Sequence, residues 1–273
     1  MAVVINSNAA SRFAAYNLEK AQTSLQTSLS KLSSGKRIVQ PFDDAAGEAV
    51  QLKLKAAVTR YGQVKNNIQN AVSFLQVQDG VYQTATDVVS RMGELATMAG
   101  DTSKSSSDKA LYNTEFTLLI SQLSSLEREQ FNGVNLFGTQ QTVYTSEAVN
   151  TNSAVVLASG SVVSGASGAL NVMGAGATGA TTLSGGMSQI TADLQSLATR
   201  RATNGAYQSV LNYSYNNASL GKMNMEAARG RIVDLDIAEE SSNFARSNIL
   251  AQAASSMLAQ ANNSNSSVLQ LLM

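Results

Sequence analysis

Apolar residues recur along this chain at spacings of three and four over most of its length. Between Asn6 and Ser34, Leu18, Leu25 and Leu32 repeat every seven residues beside Ala14, Ala21 and Leu29, the heptad pattern of a coiled-coil seam. Gly35 is a natural helix stop, and Lys36–Phe42 carries the single proline, Pro41, which favours extended backbone before it. Asp43-Asp44 then supplies a cap for a second helix. That helix holds the strongest periodicity in the chain. Leu54, Tyr61, Ile68, Leu75, Tyr82, Val89 and Ala96 form one heptad column, and Ala57, Val64, Ala71, Gln78, Ala85, Met92 and Ala99 form the other, with Gln78 its one polar member. At 1.5 Å per residue the seam is on the order of 65 Å long. Gly100-Asp101-Thr102-Ser103 ends it, and Tyr112, Phe116, Leu119, Leu123 and Leu126 mark a helix that returns antiparallel.

The pattern changes at Phe131-Asn132-Gly133. From Gly138 to Gly186 the chain holds 9 of its 19 glycines and one charge, Glu147, with short runs such as Thr142-Val143-Tyr144 and Ala154-Val155-Val156-Leu157 that predict small β-hairpins. Helical spacing resumes at Met187 with Ile190, Leu194 and Leu197 and blurs between Arg200 and Leu220. It returns at the end, where Leu250, Ala254, Met257, Ala261, Ser264, Val268 and Leu271 keep a period of 3.5. Helices are therefore expected near residues 5–34, 44–100, 105–129, 187–232 and 235–271.

Composition narrows the chemistry. There are no cysteines and no histidines, so disulfides, thiolate metal sites and histidine-based catalysis are all excluded. Lys and Arg total 19 and Asp and Glu total 19, which leaves no basic footprint for nucleic acid. The N-terminal residues lack the basic and apolar regions of a secretory signal, and no stretch is apolar for the length of a membrane span, so by the standard routes the chain reads as cytosolic. Asp43-Asp44 and Asp234-Leu235-Asp236 read as helix caps rather than catalytic carboxylates, because no basic partner or phosphate loop accompanies them. Arg200-Arg201 and Lys36-Arg37 are too short for a nucleic-acid track. No cofactor site is expected.

The ends of the chain carry the most unusual feature. After Arg246 no residue is charged, and Ala21–Ser30 is also uncharged. Two such helices have matched seams and no repulsive faces, yet alone they bury too little to fold well. They call for further copies of themselves, and a head-to-tail contact that does not close generates a helical filament.

Ile5-Asn6-Ser7-Asn8, Leu29-Ser30-Lys31-Leu32-Ser33-Ser34-Gly35-Lys36-Arg37-Ile38 and Asp43-Asp44-Ala45-Ala46-Gly47 resemble the opening of bacterial flagellins. Arg231-Ile232-Val233-Asp234-Leu235-Asp236-Ile237-Ala238-Glu239, Ile249-Leu250-Ala251-Gln252-Ala253, Met257-Leu258-Ala259-Gln260-Ala261-Asn262 and Val268-Leu269-Gln270-Leu271-Leu272 resemble their close. The likeness covers roughly residues 1–137 and 187–273.

The resemblance implies a mainly α fold, an elongated antiparallel helical bundle or coiled-coil rod with both termini at one end and a small β-hairpin region at the other. Its parts would be an inner-tube helix and linker over 1–43, rod helices over 44–137, a short variable surface region over 138–186, a C-terminal rod helix over 187–233 and a C-terminal inner-tube helix over 234–273. It implies a structural subunit of the flagellar filament, the propeller of swimming, with no enzymatic activity. Such a subunit is exported by the type III route without a cleaved signal peptide and lies outside the cell. Its partners would be further copies of itself, the export apparatus, an export chaperone, and the filament cap and junction proteins, with no nucleic acid and no membrane insertion. Polymerisation is expected to use Leu18, Leu25, Leu32, Leu250, Met257, Leu258, Val268 and Leu271.

Receptor-stimulating flagellins carry Gln-Arg-x-Arg-Glu-Leu on the long helix, where this chain reads Ser90-Arg91-Met92-Gly93-Glu94-Leu95. Arg91, Glu94 and Leu95 match, and the departures at Ser90 and Gly93 imply weak recognition by the vertebrate Toll-like flagellin receptor. Two other functions share parts of the pattern. A hook-filament junction protein would depart from the closing Met-Leu-Ala-Gln-Ala-Asn segment, and a coiled-coil signalling module would lack the β-rich interruption.

Overall fold

A computed structural model describes residues 8–147, 154–157 and 183–272, without the side chains of 183–186, 189 and 265–272. Among the described residues the chain forms helices α1 (Ala9–Ser34), α2 (Ala45–Ala99), α3 (Ser106–Leu126), α4 (Leu183–Val233) and α5 (Ile237–Leu272). The strands are β1 (Gln130–Phe131), β2 (Val134–Asn135), β3 (Gln141–Tyr144) and β4 (Ala154–Leu157). The fold is mainly α, as the periodicity predicts. None of the described helices is long and apolar enough to cross a membrane. Contacts divide the chain into one unit of residues 1–58 with 224–273 and another of residues 59–223.

In the unit of residues 59–223, the predicted α2 columns face inward. Val64, Ile68, Ala71, Leu75, Gln78, Tyr82, Ala85, Val89, Met92, Ala96 and Ala99 are all buried, and Tyr61 is half-buried. Phe116, Leu123 and Leu126 of α3 join them, as do Ile190, Leu197, Leu211 and Ala218 of α4. Two helices pack on one side of α2 or another, so its apolar stripe widens beyond the two columns to take in Phe74 and Leu95.

The turn after α2 is held by its own carboxylates. Ser105 and Asp108 form a reciprocal capping box that starts α3, and Asp101 accepts from the Ser103 N–H at 2.8 Å. These hydrogen bonds hold the Asp108 and Asp101 carboxyls below the ordinary carboxylate range, and the amides of Gln40 and Val39 do the same for Asp43. A carboxyl lowered on folding adds stability above its unfolded value, near 3.8, and loses it as the pH falls through the lower folded value. Helicity followed in an acid titration should therefore be flat from neutral pH down to about pH 4 and decline only below it.

The segment after α3 folds back as a hairpin ahead of the strands that the sequence predicts. β1 and β2 pair as Gln130↔Asn135 and Phe131↔Val134 around Asn132-Gly133, whose φ values of 52° and 78° suit a two-residue turn. Phe131 meets the edge of Phe74 at 6.1 Å, and the buried Phe137 meets Tyr82 at 5.3 Å. The two predicted strand segments pair with each other, Thr142 opposite Val156 and Val143 opposite Val155. Glu147, the lone charge of the middle region, reaches the Arg60 guanidinium on α2. The remainder of 138–186 lies outside the described residues.

Candidate assembly surface

In the unit that joins the two ends of the chain, α1 and α5 pack antiparallel. Asn8 caps α1 by accepting from the Ser11 N–H at 3.0 Å, while its Nδ2 donates to the Ala261 carbonyl at 2.9 Å. The Ser11 hydroxyl donates to Asn262 at 2.8 Å. At the other end, the Leu235 N–H donates to the Gly35 carbonyl at 3.2 Å.

The α1 side of the seam alternates small and large. Ala14, Ala21 and Ser28 are buried and Leu18, Leu25 and Leu32 are half-buried, each set at a spacing of seven. On α5 the protected positions include Phe244, Ser247, Ala251, Ala254, Leu258 and Ala261. Alanine and serine let the helices approach but bury little apolar area, so the pair gains little from its own contact.

The linkers on either side of the pair hold each other. The Arg37 N–H donates to the Val233 carbonyl at 2.7 Å, and its guanidinium donates to the Ile232 carbonyl at 3.1 and 2.7 Å. Arg37 also lies 3.6 Å from Asp44, a partly exposed pair worth little by itself. Asp44 accepts from the Gly47 N–H at 2.8 Å, and a Cβ on residue 47 would strike the Asp44 carboxylate and come within 2.8 Å of Ile38. Asp43 accepts from the amides of Val39 and Gln40, and Asp236 caps α5 through Ala238 and Glu239. Asp44 and Asp236 thus cap helices as the sequence predicts, with Arg37 as a basic partner of Asp44 that the sequence did not show, whereas Asp43 holds the amides before it and caps no helix.

An open groove of about 570 Å³ runs along the α1–α5 pair. Its walls include Phe13, Ala14, Ala21, Leu250, Ala254 and Met257, with Lys20 as the one charged side chain. Met257 is 65% exposed, and Phe13, Leu250, Tyr16 and Ile249 are exposed as well. The residues named for polymerisation therefore divide in two. Leu18, Leu25, Leu32 and Leu258 lie in the seam between α1 and α5, whereas Leu250 and Met257 face outward into the groove. Val268 and Leu271 lie outside the described side chains.

The second set of named residues does not form one surface. Arg91 and Glu94 are exposed and bonded at 2.8 Å, and Arg91 also donates to Glu115 of α3 at 2.9 Å. Glu115 is the main cause that raises the Arg91 pKa above its ordinary value. Leu95 is 1% exposed and belongs to the core, so a surface patch here consists of Arg91 and Glu94 without it.

Among the described residues no cluster of acidic side chains can hold a metal ion. What the two terminal helices build is a structural surface, a thin helical pair with apolar side chains turned outward and a single lysine in the groove between them.

Comparison with known proteins gives that class its family. Residues 5–142 match the bacterial flagellin N-terminal helical region, and residues 187–272 match the flagellin C-terminal helical region. The flagellar filament 33 kDa core protein of Treponema phagedenis is 31% identical, covering 99% of this chain and all of that protein. A flagellin of Halalkalibacterium halodurans is 32% identical over 99% of this chain and all of its own. A flagellin of Bacillus subtilis is 30% identical, with 98% of this chain and 99% of that one covered. A crystal structure of Bacillus cereus flagellin aligns over 56% of this chain and 88% of its own, at 21% identity and a TM-score of 0.49. The chain belongs to the bacterial flagellin family, and it is a structural subunit of the flagellar filament.

Proposed function

We propose that the groove of α1 and α5 is the surface through which copies of this chain polymerise, with Phe13, Leu250 and Met257 covered by neighbouring copies. The observation that carries this reading is the combination of exposed apolar side chains with an α5 that has no charge after Arg246. A helix that stayed in water would carry charge on its outer face. Leu18, Leu25, Leu32 and Leu258 serve assembly indirectly, by holding the two helices as one pair. Val268 and Leu271 extend the same apolar pattern by their spacing.

A second ring of contacts is supported by the other unit. Leu111 and Leu118 on α3, and Tyr213, Leu220 and Met223 on α4, are exposed large apolar residues. Copies packed side by side would cover them. The polymer acts as the passive propeller of swimming, and the subunit has no catalytic role. It leaves the cell by type III export without a cleaved signal, with an export chaperone, the export apparatus, the filament cap and the junction proteins as its other partners. Recognition by a host flagellin receptor is weak, since only Arg91 and Glu94 are presented from the motif.

The small burial of the α1–α5 seam gives the test. Ordering a residue costs roughly 1–2 kcal/mol, and a seam of Ala, Ser and half-buried Leu offsets little of that. Limited proteolysis of the soluble subunit should cut within 1–40 and 234–273 first, and the same sites should be protected in the polymer. Equal protection in both states would show that the pair is stable alone and would remove the case for its completion by neighbours.

A further inference from the structure

The heptad column on α4 that blurs in the sequence is continuous in the structure. Ile190, Leu197, Asn204, Leu211 and Ala218 are all buried and each is seven residues from the next. Asn204, 3% exposed, is the one polar member of that column, as Gln78, 6% exposed, is of the facing column on α2.

The two polar residues meet each other. The Asn204 side-chain amide donates to the Gln78 side-chain carbonyl at 3.1 Å and to the Leu75 backbone carbonyl at 3.1 Å. Gln78 donates onward to the Leu136 carbonyl at 2.8 Å, and Gln208 donates to Asn204 at 2.8 Å. Among the described residues no buried side-chain polar atom lacks a partner. The same antiparallel register runs along both helices. Tyr61 lies against Gly221, Lys65 donates to Ser219 at 3.2 Å, and Arg201 bonds Asp79 at 3.1 Å.

A heptad seam is nearly self-similar under a shift of seven residues, so apolar packing alone discriminates poorly between registers. Nor does a tight turn join α2 to α4, since α3 and the whole middle region intervene. We infer that Gln78 and Asn204 are the specificity-determining pair that fixes the register of α4 on α2 and seats the segment at Leu136 where the middle region leaves the bundle. A slip of one heptad sets Gln78 against Leu197 or Leu211, and Asn204 against Ala71 or Ala85. Both amides then lose their partners in a dry core, which excludes the slipped states. The pair is a device of this bundle and stands apart from the reading of the α1–α5 groove.

The absence of cysteine makes the register measurable. Cysteines in place of the exposed Ser90 and Asn217 carry spin labels on α2 and α4, and a slip of seven residues displaces one label by about 10 Å along the helix axis. The soluble subunit should give a single label distance by pulsed electron resonance. Replacing both Gln78 and Asn204 by Leu removes the two amides together and leaves the Leu136 carbonyl without its donor, so the chain should stay helical with a lowered melting temperature. It should nonetheless show a second distance displaced by about 10 Å. The exchanged variant, Gln78→Asn with Asn204→Gln, restores an amide pair and should return to a single distance. A double-Leu variant that folds and keeps only the original distance would overturn the inference. So would a folded exchanged variant that retains the displaced one.

Discussion

The substitution Met257→Asp is expected to yield a soluble, helical subunit that does not polymerise. In the separate subunit the side chain is mostly exposed, so a carboxylate there stays hydrated and costs the fold little. On the proposed assembly surface the same position becomes covered in the polymer. Burying an unpaired charge then costs several kcal/mol in every copy added. Among the described residues Lys20 is the one charged side chain of the groove, and the antiparallel register set by Asn8–Ala261 puts it beside Leu250, one heptad from Met257. The register therefore makes a matched control. Leu250→Asp brings its carboxylate close to the Lys20 ammonium and should slow growth less than Met257→Asp does. Sedimentation after seeding, with circular dichroism of the soluble fraction, reads both effects. Normal polymers from Met257→Asp would mean that this face of α5 remains in water.

The second large effect lies in the other unit. Leu211 is fully buried in the α4 column, one heptad from Asn204, and its truncation to Ala leaves a cavity that the surrounding large side chains fill only in part. The expected cost is about 2–5 kcal/mol. Thermal unfolding should shift sharply downward while the α1–α5 surface is chemically unaltered. Export-independent seeding at low temperature should still succeed. A melting temperature within a degree of the parent would show that α4 is not held where the column places it.

What could be read from the sequence follows from the physics of each signal. The α2 columns were legible because a seven-residue repeat sustained from Leu54 to Ala99 has few other structural solutions, and Gly35 marks a boundary through local capping alone. The α4 column was obscured because Asn204 interrupts its hydrophobicity, although the interruption is what pairs it with Gln78. Leu95 looked available as part of a motif on one helix. Its burial depends on how many neighbours α2 has, which no single-helix pattern records. The division of the terminal leucines into seam and groove was hidden for a related reason: Leu258 and Met257 are adjacent in sequence, and only the position of α1 decides which is covered. The linker contacts of Arg37 were beyond reach, because backbone carbonyls nearly 200 residues away attach to no residue type. The Asn132-Gly133 hairpin was missed, although its turn pair carries a local signal for one.

Oxidation of methionines tests the central claim most directly, because the chain reports on its own surfaces. Met257 and Met223 are exposed in the subunit and Met92 is buried, so brief peroxide treatment of the soluble chain should oxidise the first two and spare the third. After growth on filament seeds, Met257 should become as resistant as Met92 while the polymer persists. Met257 oxidised at the same rate in polymer and subunit would contradict the assignment of the α1–α5 groove as the surface on which this flagellin assembles.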